Sequence, residues 1–181
     1  MQVQFRRTML TNLLLTRMMV AMVKILPISS VRSAISPTKK IVFVTGVFDL
    51  PHPGHWHFLT CAKKAGDILV VGVESDEMAR ATKGPDRPLL TQEERLAAVA
   101  SFHAVDIVVP LPSVREKTDY QGICSMIGAS VLAVTSDDPY LLVKTSMMRA
   151  IGGEVRIVTE RIFPFSTSLR IAEIDSRPAH A

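Results

Sequence analysis

Cysteine is scarce in this chain. Cys61 and Cys124 lie far apart and in no C-x-x-C pair, which excludes a disulfide framework and a zinc site of the usual spacing and fits a reducing, intracellular setting. Aromatic residues make up 6% of the 181 residues, and no Lys/Arg-rich block occurs. The stacking platforms and basic stripes of nucleic-acid binders are therefore missing. The net charge of +4 does not alter this, because seven of the 21 basic residues fall within the first 40 positions (Arg6, Arg7, Arg17, Lys24, Arg32, Lys39, Lys40). The other 141 residues carry 14 bases against 17 acids. Acid is absent from residues 1 to 40, and Arg17 and Lys24 interrupt their apolar runs. No uncharged stretch approaches the roughly 18 residues that a membrane span requires.

An apolar, Arg-bearing, acid-free start has the composition of a transit peptide, and equally of a start codon read too far upstream, since Met9, Met18, Met19 and Met22 are all available. The organisation predicted is a disordered leader over residues 1–38, a domain over 39–176 and a tail over 177–181. A chain starting near Ser36 should then be as stable as the whole. Localisation is cytoplasmic, or mitochondrial if the leader is a transit peptide.

From Lys40 onward, short Val/Ile-rich runs at 41–45, 67–73, 106–110, 131–135 and 154–158 alternate with helical segments. Such continuous apolar runs suit strands covered on both faces. The segment 55–66 places Phe58, Leu59, Ala62 and Ala65 on one helical face and ends at Gly66. Thr91 and Glu94 form a capping box before Leu96, Val99 and Ala100. The alternation predicts a single Rossmann-like, doubly wound α/β domain with a parallel sheet of about five strands.

Ligands in such sheets bind beyond the carboxyl ends of the strands, and there the first run leads into "GVFDLPHPGH", residues 46–55. This is neither G-x-G-x-x-G nor a P-loop. It supplies Gly46 for close backbone approach, Pro53 and Gly54 at a helix start whose N–H groups attract an anion, and two imidazoles, His52 and His55, as further donors. Zinc is the weaker alternative: no Glu lies between the two histidines as in H-E-x-x-H, and Pro-Gly resists a helical i, i+4 pair. Each histidine taken singly also fits a helix cap.

H-P-G-H after Phe48-Asp49 resembles the H-x-G-H signature of the cytidylyltransferase-like nucleotidyltransferase superfamily, and the similarity runs over residues 41–174. "KGP" (83–85) before "TQEERLAAV" is similar to its lysine loop and following helix, and "FSTSLRI" (165–171), with Arg161 five residues before Ser166, resembles its S-T-[ST] segment. The resemblance implies His52, His55, Lys83 and Arg161 as catalytic. It implies Gly46, Val47, Phe48, Gly54, Arg95, Ser166, Thr167 and Ser168 at the nucleotide, and Asp49 and Asp138 at the acceptor, with Asp49 ordering its turn as the other reading. Arg95 could instead pair with Glu94 or Asp106.

The partners implied are CTP or ATP with Mg²⁺ and a small phosphomonoester, with no protein-held metal, no nucleic acid and a homodimer. "DDPY" (137–140) with Lys144 is similar to ethanolamine-phosphate cytidylyltransferases, and the core has the size of glycerol-3-phosphate cytidylyltransferase. "GGEV" (152–155) and the arginine of "KGPDRP" are instead similar to heptose-phosphate adenylyltransferase domains. CTP is the leading base on these motifs, with a heptose-type adenylyltransferase or a nucleotide-binding module without turnover as alternatives. Ser136, where many relatives have Gly, and Pro164 depart from the family pattern.

Overall fold

The computed structural model describes residues 24–113 and 117–162. Its elements are α1 (Ile28–Ala34), β1 (Ile41–Gly46), α2 (Pro53–Lys63), β2 (Ile68–Val73), α3 (Asp76–Lys83), α4 (Gln92–Ala100), β3 (Ile107–Pro110), α5 (Lys117–Ile127), β4 (Val131–Thr135), α6 (Leu141–Ala150) and β5 (Glu154–Thr159). The five strands pair in parallel in the order β3-β2-β1-β4-β5. No helix among the described residues is long and apolar enough to cross a membrane.

Side chains alternate across a strand, so each apolar run feeds two cores. Val42, Val44, Leu69, Val71 and Val73 pack with Leu59 and Ala62 of α2 and with Leu96, Val99 and Ala100 of α4. Ile41, Phe43, Val70 and Leu132 face the other way, onto Val31 of α1, Ile123 and Ile127 of α5 and Met147 and Met148 of α6. Helices therefore cover both faces, which is why the strand runs are continuously apolar.

Two sequence expectations are corrected. First, α2 starts at Pro53 and ends at Lys63, with Lys64 closing its last turn in a right-handed conformation. Gly66 is required instead by close approach: a Cβ there would lie 2.7 Å from Val42 Cγ2 and 2.8 Å from the Lys40 carbonyl. Second, the residues from 24 onward assigned to the leader pack on the domain. Ile25 bridges Val108 in parallel fashion, the Leu26 N–H donates to the Val108 carbonyl at 2.9 Å, and Lys24 Nζ donates to the Val105 carbonyl at 2.8 Å. This short segment covers part of the β3 edge, whose unpaired backbone groups would otherwise face solvent. Val31 is 0% exposed. Residues 1–23 and the 177–181 tail lie outside the described residues.

Val31→Ala is therefore expected to lower the unfolding free energy by about 1–3 kcal/mol in a urea titration, and removal of the residues before Ser36 should lower it further. An unchanged midpoint for both would show that the N-terminal packing contributes nothing.

Candidate active site

The strand order reverses between β1 and β4, and at the carboxyl ends of these strands opens a cleft of about 870 Å³. The loop after β1 forms its floor with Gly46, Val47, Phe48 and Asp49, and the start of α2 adds His52, Gly54 and His55. Lys83, the last residue of α3, and Arg161, just after β5, complete the set of expected residues brought together there. Asp138 and Arg95 do not line the cleft. Ser166, Thr167 and Ser168 lie outside the described residues.

The imidazoles are held by the helix start. His52 is the N-cap of α2, in an extended conformation, and Pro53 opens the first turn. The His52 N–H donates to His55 Nδ1 at 3.3 Å, and the two rings lie 3.9 Å apart between centroids. Phe48 adds a tilted ring contact to His55 at 5.3 Å. Burial first, and then the charges of His52, Arg161 and Lys83, push the His55 pKa down from 6.5 to about 3. The ring is therefore neutral at neutral pH. Since Nδ1 accepts a hydrogen bond, its one proton sits on Nε2 as a donor.

The loop that carries this pair is strained and clamped. Phe48 and Leu50 both have φ of 53°, a left-handed conformation unfavourable for such side chains. Between them Asp49, 2% exposed, accepts from Arg87 Nε at 2.6 Å and from the N–H groups of Leu89 and Leu90 at 3.0 and 3.1 Å. Its carboxylate thus orders the turn and the 87–90 loop, the second of the two readings given for this residue.

Arg95 requires a correction. Its side chain is 0% exposed and donates to the Val47 carbonyl at 2.5 Å, the Leu90 carbonyl at 3.1 Å and Asp76 Oδ1 at 2.6 Å. It ties together the loops after β1 and before α4 and the first turn of α3. It does not face a nucleotide, and its partner is neither Glu94 nor Asp106. Asp138, which is not among the lining residues, accepts from the Tyr140 N–H at 2.9 Å and from Lys144 Nζ at 2.7 Å. Lys144 is the member of that pair that reaches the cleft.

Sequence reasoning missed Glu74 and Tyr120. Glu74 follows β2, lines the cleft and receives the Tyr120 hydroxyl at 2.6 Å. Burial raises its carboxyl above the usual range, against the lowering effects of Tyr120, Lys144 and Arg95. A carboxylate placed directly after a buried strand, at the carboxyl edge of the sheet, was the available signal. Arg161 meets Asp137 at 3.1 Å, both side chains well exposed. Such a pair is worth little, so the guanidinium exchanges partners readily. Among the described residues no cluster of three or more His, Cys, Asp or Glu could hold a metal ion.

The sequence matches the family model described as cytidylyltransferase-like over residues 43–169, and the chain belongs to that family. That membership gives the coarse class, a cytidylyltransferase-like nucleotidyltransferase domain. The bifunctional protein HldE of Aeromonas hydrophila is 37% identical over 120 residues, covering 66% of this chain and 25% of that protein. HldE of Vibrio parahaemolyticus is 34% identical over 131 residues, covering 72% and 27%. The chain thus spans about a quarter of the length of these relatives. Among solved structures, the lipopolysaccharide core biosynthesis protein from Thermoplasma volcanium is similar with a TM-score of 0.57 and 28% identity, over 69% of this chain and 98% of that one. The pantoate-beta-alanine ligase from Francisella tularensis, at 16% identity, a TM-score of 0.57 and coverage of 83% and 76%, shares the fold.

The lowered His55 pKa has a definite sign. The unfolded chain takes up a proton near pH 6.5 that the folded site refuses until about pH 3, so this ring's contribution opposes folding as pH falls through that window. In nuclear magnetic resonance spectra of the free protein, the His55 ring signals should remain those of a neutral imidazole from about pH 8 down to about pH 5. A midpoint above about pH 6 would contradict the burial argument.

Proposed function

We propose that this chain transfers an adenylyl group from ATP to a sugar 1-phosphate of heptose type, releasing pyrophosphate. The observation that carries the transfer chemistry is the His52–His55 pair at the head of α2, with its second ring neutral and Lys83 and Arg161 within electrostatic reach of it. The heptose-type acceptor and ATP are supported by the HldE relatives, by the neighbour named for lipopolysaccharide core biosynthesis, and by the likeness of residues 152–155 and of Arg87 in its loop to heptose-phosphate adenylyltransferase domains. These findings favour ATP over the CTP reading that led on the sequence motifs alone.

An acceptor phosphate oxygen attacks the α-phosphorus in line. The P–O bond to pyrophosphate breaks, and its electron pair stays on the leaving oxygen. The acceptor's second pKa near about 6 leaves it ionised at neutral pH, so no side chain must remove a proton. The chain's task is positioning and charge stabilisation. The Nε2–H of neutral His55, the His52 ring and the Gly54 amide would donate to the phosphates, while Lys83 and Arg161 take the charge that grows on the β,γ-oxygens. Among the described residues no group of three or more His, Cys, Asp or Glu could hold a metal ion, so Mg²⁺ would arrive with the nucleotide, held by the triphosphate oxygens.

A second reading, cytidylyl transfer to ethanolamine phosphate or glycerol 3-phosphate, draws on the 137–140 segment with Lys144. A pyrophosphate-release assay separates the two. ATP with a heptose 1-phosphate should exceed CTP with either alcohol phosphate in kcat/KM by about tenfold or more. The reverse order would reinstate the CTP reading. His52→Ala and His55→Ala should each lower kcat by about 10² to 10³, with acceptor KM little changed. Zinc bound in the wild type and lost in both variants would contradict the phosphate-donor role.

A further inference from the structure

Glu74 is built into the cleft more firmly than a chance wall residue. Its N–H donates to the Gly46 carbonyl at 3.0 Å, so the β1–β2 pairing sets its backbone beside the loop that carries the two histidines. The residue is 8% exposed. One oxygen, Oε1, is taken by the Tyr120 hydroxyl at 2.6 Å; Oε2 is buried and receives no hydrogen bond from the described residues. The same cleft is lined by the apolar side chains of Leu132, Val143 and Met147 and by Cys124. A carboxylate oxygen in such surroundings is costly unless a donor meets it. Tyr120 remains a donor because burial, followed by the Glu74 charge, raises its phenol.

We propose that Glu74 is a specificity-determining residue that accepts a hydrogen bond from a hydroxyl of the acceptor through Oε2, with Tyr120 as the positioning residue that orients it. The assignment rests on the transferase reading above and deepens it. The triphosphate is drawn to the imidazoles, Lys83 and Arg161, whereas a carboxylate beside phosphate oxygens repels them. Glu74 can therefore not face the phosphates of a ligand. Lys144 lines the same cleft and acts electrostatically on Glu74, so one wall offers a cation and a hydrogen-bond acceptor together. A phosphorylated polyol carries the matching pair, a phosphate and neighbouring hydroxyls. An ammonium group in the hydroxyl's place would meet the Lys144 charge.

The test is steady-state pyrophosphate release with ATP and a heptose 1-phosphate, its monodeoxy analogues included, for wild type, Glu74→Gln, Tyr120→Phe and the double variant. Thermal unfolding serves as the check on folding. Glu74→Gln should raise acceptor KM by about 10- to 100-fold, with ATP KM and kcat held within about threefold. One monodeoxy analogue should give wild type and Glu74→Gln the same kcat/KM, and Tyr120→Phe should weaken acceptor binding only while Glu74 is present. Unchanged acceptor KM in a folded Glu74→Gln protein, a rise in ATP KM instead, or equal penalties for every deoxy analogue in both proteins would overturn the assignment while leaving the transferase intact. Wild-type protein that releases no pyrophosphate with any acceptor would fail the transferase reading itself, and this assignment with it.

Discussion

The buried guanidinium of Arg95 is the constraint on which the cleft depends. A fully enclosed cation is unfavourable unless its donors are met, and here the Val47 and Leu90 carbonyls and the Asp76 carboxylate meet them. Those three acceptors belong to three segments at the carboxyl edge of the sheet. Satisfying one side chain therefore fixes the loop after β1 relative to α3 and α4. Asp49 repeats the device from the opposite direction, a buried carboxylate that gathers Arg87 and two backbone N–H groups. Between these two clamps sit the left-handed residues Phe48 and Leu50. Their strain persists because the surrounding bonds over-determine the loop.

From that rigid loop the electrostatics of the cleft follow. The start of α2 is aimed by it, so the His52–His55 pair arrives as a fixed unit with its polarity set by a backbone bond. Burial beside two cations keeps His55 uncharged, and a neutral imidazole offers a directed N–H without adding a further repelling charge. Lys83 and Arg161 supply mobile charge at the rim. Pre-set donors inside and cations at the mouth suit a reaction whose barrier is charge redistribution on phosphate oxygens.

Much of this was legible in the chain. The five Val/Ile runs became the five strands, because residues buried on both faces of a parallel sheet leave a continuous apolar signature. The Thr91–Glu94 box formed as read, since capping is local chemistry. The histidine pair was legible from its position at a strand-to-helix turn. What was missed depends on partners distant in sequence. Arg95 reads as a nucleotide ligand, or a partner of Glu94 or Asp106, until Val47, 48 positions away, is brought to it. Glu74 looks like a turn residue until α5 delivers Tyr120. The N-terminal packing was hidden because an acid-free composition outweighed the spacing of Ile28, Val31 and Ile35, two of which are buried.

The central claim is that the His52–His55 pair, with His55 neutral, and the first turn of α2 form a preorganised phosphate site. Titration of the protein at neutral pH with the non-hydrolysable analogue adenosine 5′-(β,γ-imido)triphosphate, followed by ¹H–¹⁵N resonance of the ring nitrogens and backbone amides, tests it directly. The account predicts that the Nε2–H of His55 and the Gly54 amide shift together and saturate at one ligand concentration, with His55 remaining neutral in the complex. Saturable binding that leaves both signals unmoved, or that converts His55 to the imidazolium form, would contradict it.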